Sequence, residues 1–184
     1  MNHFYHHIEG WSSEHDQGNL IKTILQENKS NNLKIAEIGV YHGRGTAIWN
    51  VELVNANIQY KYWAIDHFLG SAEHNITESF YETTKNNLQP ILSDNIVLVN
   101  NNSIDASAMF DDEFFDIIYI DASHDYGNVL ADITAWHKKL KKGGFICGDD
   151  YTTGWAGVIQ AVDEYFGKDN IRVIGNQQWL VSSK

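Results

Sequence analysis

One cysteine and one proline in 184 residues remove several architectures at the start. Cys147, being alone, excludes an intramolecular disulfide and any cysteine-based zinc centre. With Pro90 the sole proline and the glycines spread along the chain, no Pro/Gly-rich linker divides it, and it carries neither an internal repeat nor a low-complexity tract. Basic residues are also few. Thirteen Lys and Arg against 24 Asp and Glu give a net charge of −11, which repels a phosphate backbone and argues against nucleic acid as the partner. Apolar runs stay far below the roughly 20 residues that span a bilayer. Residues 1–7 lack the basic start and apolar stretch of a signal peptide. The expected setting is cytoplasmic, with no membrane contact.

What is present is enough for a core. Apolar residues make up 43% and aromatics 12%, which excludes a disordered chain; the length fits one domain over 1–184, with 1–32 as an N-terminal helical extension. Short runs rich in Ile, Val, Tyr and Phe, at 33–40, 60–66, 96–100, 114–121 and 144–149, have the length of strands. Amphipathic stretches between them predict helices over 18–28, 44–54, 78–88, 103–110, 126–141 and 156–166. From Tyr126 onward, Val129, Leu130, Ile133, Trp136 and Leu140 recur at three- and four-residue steps. Lys138, Lys139, Lys141 and Lys142 then suit the negative end of that helix dipole. Such alternation predicts an α/β fold, a doubly wound and mostly parallel sheet of seven strands, closed by 171–174 and 178–182 as an antiparallel pair.

In such sheets ligands bind beyond the carboxyl ends of the strands, where the strand order reverses. Glu37 stands in the first run just before Gly39; Asp66 ends the second, Asp121 the fourth and Asp149-Asp150 the fifth. Acids at four strand ends form a pattern, although polar residues must follow buried strands in any case. The first turn runs Glu37-Ile38-Gly39-Val40-Tyr41-His42-Gly43-Arg44-Gly45-Thr46. Its glycines allow a tight turn, and the helix after it offers free N–H groups to an anion. A dinucleotide fingerprint would need glycine where Tyr41 and Arg44 stand, and no Gly-Lys-Ser/Thr of a P-loop is present. Asp66, at the end of the next strand, is placed to accept the hydroxyls of a ribose. A ribose, an anionic group and an acidic pocket together match S-adenosylmethionine, whose sulfonium is positive.

The segments EIGVYHGRGT from Glu37, AID at 64–66, YIDASHDY at 119–126 and GDDY at 148–151 together resemble the class I S-adenosylmethionine-dependent methyltransferases. The resemblance is closest to the small-molecule O-methyltransferases of the macrocin and cephalosporin-hydroxylase-like group, and more distant to catechol O-methyltransferase. It spans roughly 33–166 and implies the Rossmann-like methyltransferase fold. On the matching residues it implies that Glu37, Gly39, Tyr41 and Gly43 surround the methionine part of the cofactor and that Asp66 binds the ribose. It also implies that Ser103 stands on the adenine side. His67, after the ribose acid, either walls the adenine or is a surface residue. Asp121 belongs to both the cofactor and the metal set.

Asp121, Asp149 and Asp150 can converge from neighbouring strands, since adjacent strands lie about 4.8 Å apart. Three carboxylates so close repel one another unless a cation sits among them, and oxygen ligands favour Mg²⁺. A hydrogen-bonded aspartate cluster without metal is the plainer alternative. The spacing of Asp121 and Asp149 resembles that of the metal-dependent catechol enzymes. His124, three residues past Asp121, resembles the family's general base; otherwise it caps a helix or ligates the metal. Tyr151, Thr152, Thr153 and Trp155 are expected to shape the pocket of a small-molecule acceptor, a sugar or a phenol. Trp11, His6 and His7 either cover its mouth or belong to a loose terminus or subunit contact. So short an extension makes no large lid, and a homodimer would supply one. The competing readings are an NAD-dependent dehydrogenase and a non-catalytic cofactor-binding or scaffold protein of the same fold.

Overall fold

Seven strands form one sheet in the computed structural model, which describes residues 1–70 and 78–183. They are β1 (Asn32–Ile38), β2 (Gln59–Asp66), β3 (Ile96–Asn100), β4 (Phe115–Ile120), β5 (Leu140–Gly148), β6 (Arg172–Ile174) and β7 (Gln178–Ser182). Their order is β3-β2-β1-β4-β5-β7-β6. The first five run parallel; β7 pairs antiparallel with β5, and β6 antiparallel with β7. Order reverses between β1 and β4, which places the ligand crevice at their carboxyl ends.

Side chains alternate along each strand, and both faces are covered, so the central strands read as nearly continuous apolar runs. On one face Leu33, Ile35, Tyr62, Ile117 and Tyr119 pack with residues of α1 (Glu14–Glu27) and α2 (Arg44–Asn55). On the other, Ala36, Ile38, Ile118 and Ile120 meet α5 (Tyr126–His137) and α6 (Ala156–Phe166). The shorter α3 (Tyr81–Asn87) and α4 (Ser103–Ser107) follow β2 and β3.

Four helices have bounds that differ from expectation. α1 begins at Glu14 rather than at 18, because the Ser13 side chain accepts the Asp16 N–H and caps the helix there. α3 and α4 are both shorter than the predicted 78–88 and 103–110. α5 stops at His137, and β5 takes up the chain from Leu140. The lysines expected to serve the helix dipole pair instead with acids before and within β4: Lys139 with Asp112 and Lys141 with Asp116, both at 2.7 Å. Among the described residues no helix is long and apolar enough to cross a membrane.

Candidate active site

Gly39 follows β1 with a positive φ of 90°, and a Cβ there would lie 1.9 Å from the carbonyl oxygen of Asp121. Only glycine lets the first turn press so closely against the end of β4. Tyr41 also takes a left-handed φ of 50°, which costs a side-chain-bearing residue some strain. Asp66 holds the turn in this shape. Its Oδ2 accepts the N–H groups of Val40 at 2.8 Å and Tyr41 at 2.9 Å, and its Oδ1 accepts that of Phe68 at 2.7 Å. A carboxylate has roughly four acceptor positions, so Asp66 retains about one of them beyond these three bonds.

A cavity opens on each side of this turn, and the two share Gly39, Val40, Tyr41, Asp121 and Ala122. The larger, about 550 Å³, is lined by Asp66, His67, Ser103 and Asp132 among others. The smaller, about 420 Å³, is lined by Glu37, Arg44, Asp121, His124, Asp149, Asp150, Trp11 and Trp155. The cofactor, metal and base residues singled out from sequence line these cavities with Gly43 as the exception, whereas Tyr151, Thr152 and Thr153, expected to shape the acceptor pocket, line neither, and the Tyr151 hydroxyl donates to Asp163 at 2.5 Å. Gly43 lines neither cavity; it is the N-cap of α2, and a Cβ on it would press on Leu88.

The smaller cavity is crowded with acid. Glu37 is buried and accepts the Thr46 hydroxyl at 2.5 Å; burial pushes its carboxyl up to about 8, against the pull of that hydrogen bond. Asp121 is held well above the usual carboxylate range by burial, then by Asp149, Asp150 and Glu37, with His124 opposing. Asp149 is raised by burial and by Asp150. Where three aspartates were expected to converge, ligand atoms of Asp121, Asp150 and His124 lie within 4.8 Å of one another. Asp149 is turned aside, because its Oδ1 accepts the Asp150 N–H at 2.7 Å and the Gln177 amide at 2.8 Å. His124 Nε2 lies 2.8 Å from Asp150 Oδ2, and its ring stacks on Trp155 at 4.1 Å.

Several participants were not foreseen. Among the described residues Arg44, at the start of α2, is the one Lys or Arg lining the smaller cavity, and its Nη1 donates to the Gly10 carbonyl. Gln17 of α1 donates to the Tyr119 hydroxyl at 2.7 Å, and Tyr119 reaches Asp121 at 3.5 Å. Trp11 lines the smaller cavity and stacks on Tyr41, whereas His6 pairs with Glu14 and, like His7, lines neither cavity. Asp132 left a signal in the sequence, a lone acid on the Val129-Ile133-Trp136 stripe. Gln177 left none, since only folding brings the β6–β7 turn to Asp149.

A family model described as a methyltransferase domain matches residues 36–151, the stretch from β1 through the acids after β5. The chain belongs to this family. Among curated proteins no sequence matches. Solved structures share the fold at low identity. The O-methyltransferase NovP is 15% identical with a TM-score of 0.66, over 93% of this chain and 77% of its own. A SAM-dependent O-methyltransferase from Thermotoga maritima is 14% identical with a TM-score of 0.64, over 95% and 67%. A tRNA (m1A58) methyltransferase from Aquifex aeolicus is 15% identical, also at 0.64, over 96% and 71%. Nearly equal scores for such different acceptors show that the likeness reports fold alone. Membership makes the chain an S-adenosylmethionine-dependent methyltransferase, and the dehydrogenase reading falls.

Proposed function

We propose that this methyltransferase methylates a hydroxyl of a small molecule, with a divalent ion assisting and His124 as the general base. The observation that carries the reading is the convergence of acids from four strands, β1, β2, β4 and β5, on one cleft beside that histidine. An acid-lined cleft disfavours a polyanionic acceptor such as RNA and favours a neutral sugar or phenol.

S-adenosylmethionine supplies, when bound, an electrophilic methyl on a sulfonium. Its nucleoside suits the larger cavity, where Asp66 has an acceptor position left for the ribose and His67 and Ser103 stand at the wall. Its methionine part suits the turn of Gly39 and Tyr41, with Glu37 beneath and Arg44 as the cation for the carboxylate. The donor set also fits a divalent ion. Asp149 is buried and Asp121 half-buried beside Asp150, and their raised carboxyls ionise readily only with a cation among them. Asp121 and Asp150, whose ligand atoms lie within 4.8 Å of each other, would hold Mg²⁺, which would supply Lewis acidity to an acceptor hydroxyl, with Asp149 behind them adding negative charge.

His124 takes the hydroxyl proton. Asp150 orients its ring through Nε2, and Trp155 supports one face of it. General-base help of this kind is worth about 10²- to 10⁴-fold. The alignment of donor and acceptor in the shared part of the cleft contributes several kcal/mol more. The test is transfer of a labelled methyl to a panel of sugars, phenols and amines, with Mg²⁺ or with chelator. Turnover on hydroxyls that falls with chelator supports the reading; turnover on amines alone, indifferent to chelator, overturns it.

A further inference from the structure

Asp150 sits at a left-handed φ of 65°, a shape that strains a residue with a side chain and persists only where the surroundings over-determine it. Gln177, in the β6–β7 turn, brackets it. The side-chain amide of Gln177 donates to Asp149 Oδ1 at 2.8 Å and reaches Asp150 Oδ1 at 3.4 Å. Its backbone carbonyl accepts the Tyr151 N–H at 2.9 Å, on the far side of Asp150. Asp149 Oδ1 also accepts the Asp150 N–H at 2.7 Å. Held at both ends, Asp150 presents its other oxygen, Oδ2, to His124 Nε2 at 2.8 Å. The Gln178 amide is a further partner in reach of Asp149, so the distinctive contribution of Gln177 is to Asp150.

The turn is fixed in its own right from α1. Asp16 is only 5% exposed, and a buried carboxylate is costly unless donors answer it. Asn176 answers with its backbone N–H at 3.3 Å and with its side-chain amide at 3.2 Å from each oxygen, while His15 adjoins at 3.4 Å. Gly175, at a φ of 64°, lets the turn come so near, because a Cβ there would collide with Asp16 Oδ1. Asp16 and residues 175–177 all lie outside the matched stretch 36–151, so membership in the methyltransferase family assigns them no part. We infer that Gln177 is a positioning residue for methyl transfer, setting Asp150 and through it the His124 ring, and that Asp16 of α1 holds Gln177 in place for this. The inference rests on the reading of His124 as the general base. A base must lie within hydrogen-bond reach of the proton it takes, and a displacement of about 1 Å at the reacting atoms can cost roughly 10²-fold.

The test pairs two readouts on the full-length protein. One is single-turnover methyl transfer to a hydroxyl acceptor of the wild type. The other is the histidine ¹H–¹⁵N spectrum of the metal-free protein, in which His124→Ala identifies the His124 signals. Gln177→Ala is expected to slow transfer about ten- to hundredfold while S-adenosylhomocysteine affinity stays within about twofold, and to move the His124 signals. Asp16→Ala should do the same in smaller measure, and the double variant should be no slower than Gln177→Ala, because residues acting in series are not additive. Asn176→Ala, which loosens the same turn, gives the reading if either single variant does not fold. Losses that multiply in the double variant overturn the part given to Asp16. Unchanged transfer, or unmoved His124 signals, in folded Gln177→Ala overturns the inference and leaves the role of His124 standing. A wild type that methylates no hydroxyl, or full turnover in His124→Ala, overturns the reading of the base, and the inference with it.

Discussion

The two cavities beside the first turn treat their acids in opposite ways. In the larger, Asp66 accepts three backbone N–H groups and Asp132 accepts a serine hydroxyl fixed by a tryptophan. In the smaller, Asp121, Asp149 and Asp150 stand against one another, and burial with mutual repulsion drives Asp121 and Asp149 toward the neutral form. Carboxylates answered by the protein are in place before a ligand arrives, as a neutral nucleoside requires. Carboxylates left in mutual conflict store a demand for positive charge, which a sulfonium and a divalent ion both meet.

The contrast breaks most visibly at His124. His124→Ala should lose about 10²- to 10⁴-fold in methyl transfer while S-adenosylhomocysteine affinity stays within about twofold; single-turnover rates and calorimetry check the two halves, and unchanged turnover removes His124 from the mechanism. Asp66→Ala frees three backbone donors at once. It should cost on the order of 4 kcal/mol of stability and weaken S-adenosylhomocysteine in parallel, read from denaturant unfolding and calorimetry. If it leaves folding intact, Asp66 is not the clasp of the turn.

Asp132 gives the pH dependence. Its folded pKa of about 6 lies above its ordinary 3.8. As pH rises, the unfolded chain loses this proton first, so the contribution is full below pH 4 and is lost as pH passes through about 6. Asp132→Asn should therefore be the more stable protein above pH 6, by up to about 3 kcal/mol, with the difference vanishing near pH 4. Unfolding curves across that range check it, and a constant difference would show that Asp132 is not the titrating group. The smallest effect sharpens the comparison within the cleft. Arg44→Ala should weaken S-adenosylhomocysteine about tenfold but leave 5′-methylthioadenosine, which has no carboxylate, nearly unchanged. Equal losses for both would make Arg44 a prop for residues around Gly10.

The sheet was legible because each parallel strand is covered on both faces and must be written as an apolar run between helices. The strand-end acids were legible for a related reason: Glu37, Asp66, Asp121 and Asp149 interrupt or end those runs. Local patterning failed where a tertiary partner decides. The lysines after α5 read as helix-dipole companions until Asp112 and Asp116 claimed two of them. Gly43 read as a cofactor contact, but its neighbour is Leu88, far along the chain. Asp149 read as converging with its companions, and the Gln177 amide on a distant turn holds it aside. Spacing along the chain carries none of these contacts.

The most direct test of the central claim is calorimetry of S-adenosylmethionine binding to the full-length protein, with Mg²⁺ and again with chelator. Saturable binding of S-adenosylmethionine in both conditions is predicted, with a Mg²⁺ site that Asp121→Asn abolishes. The absence of S-adenosylmethionine binding under either condition would contradict the account.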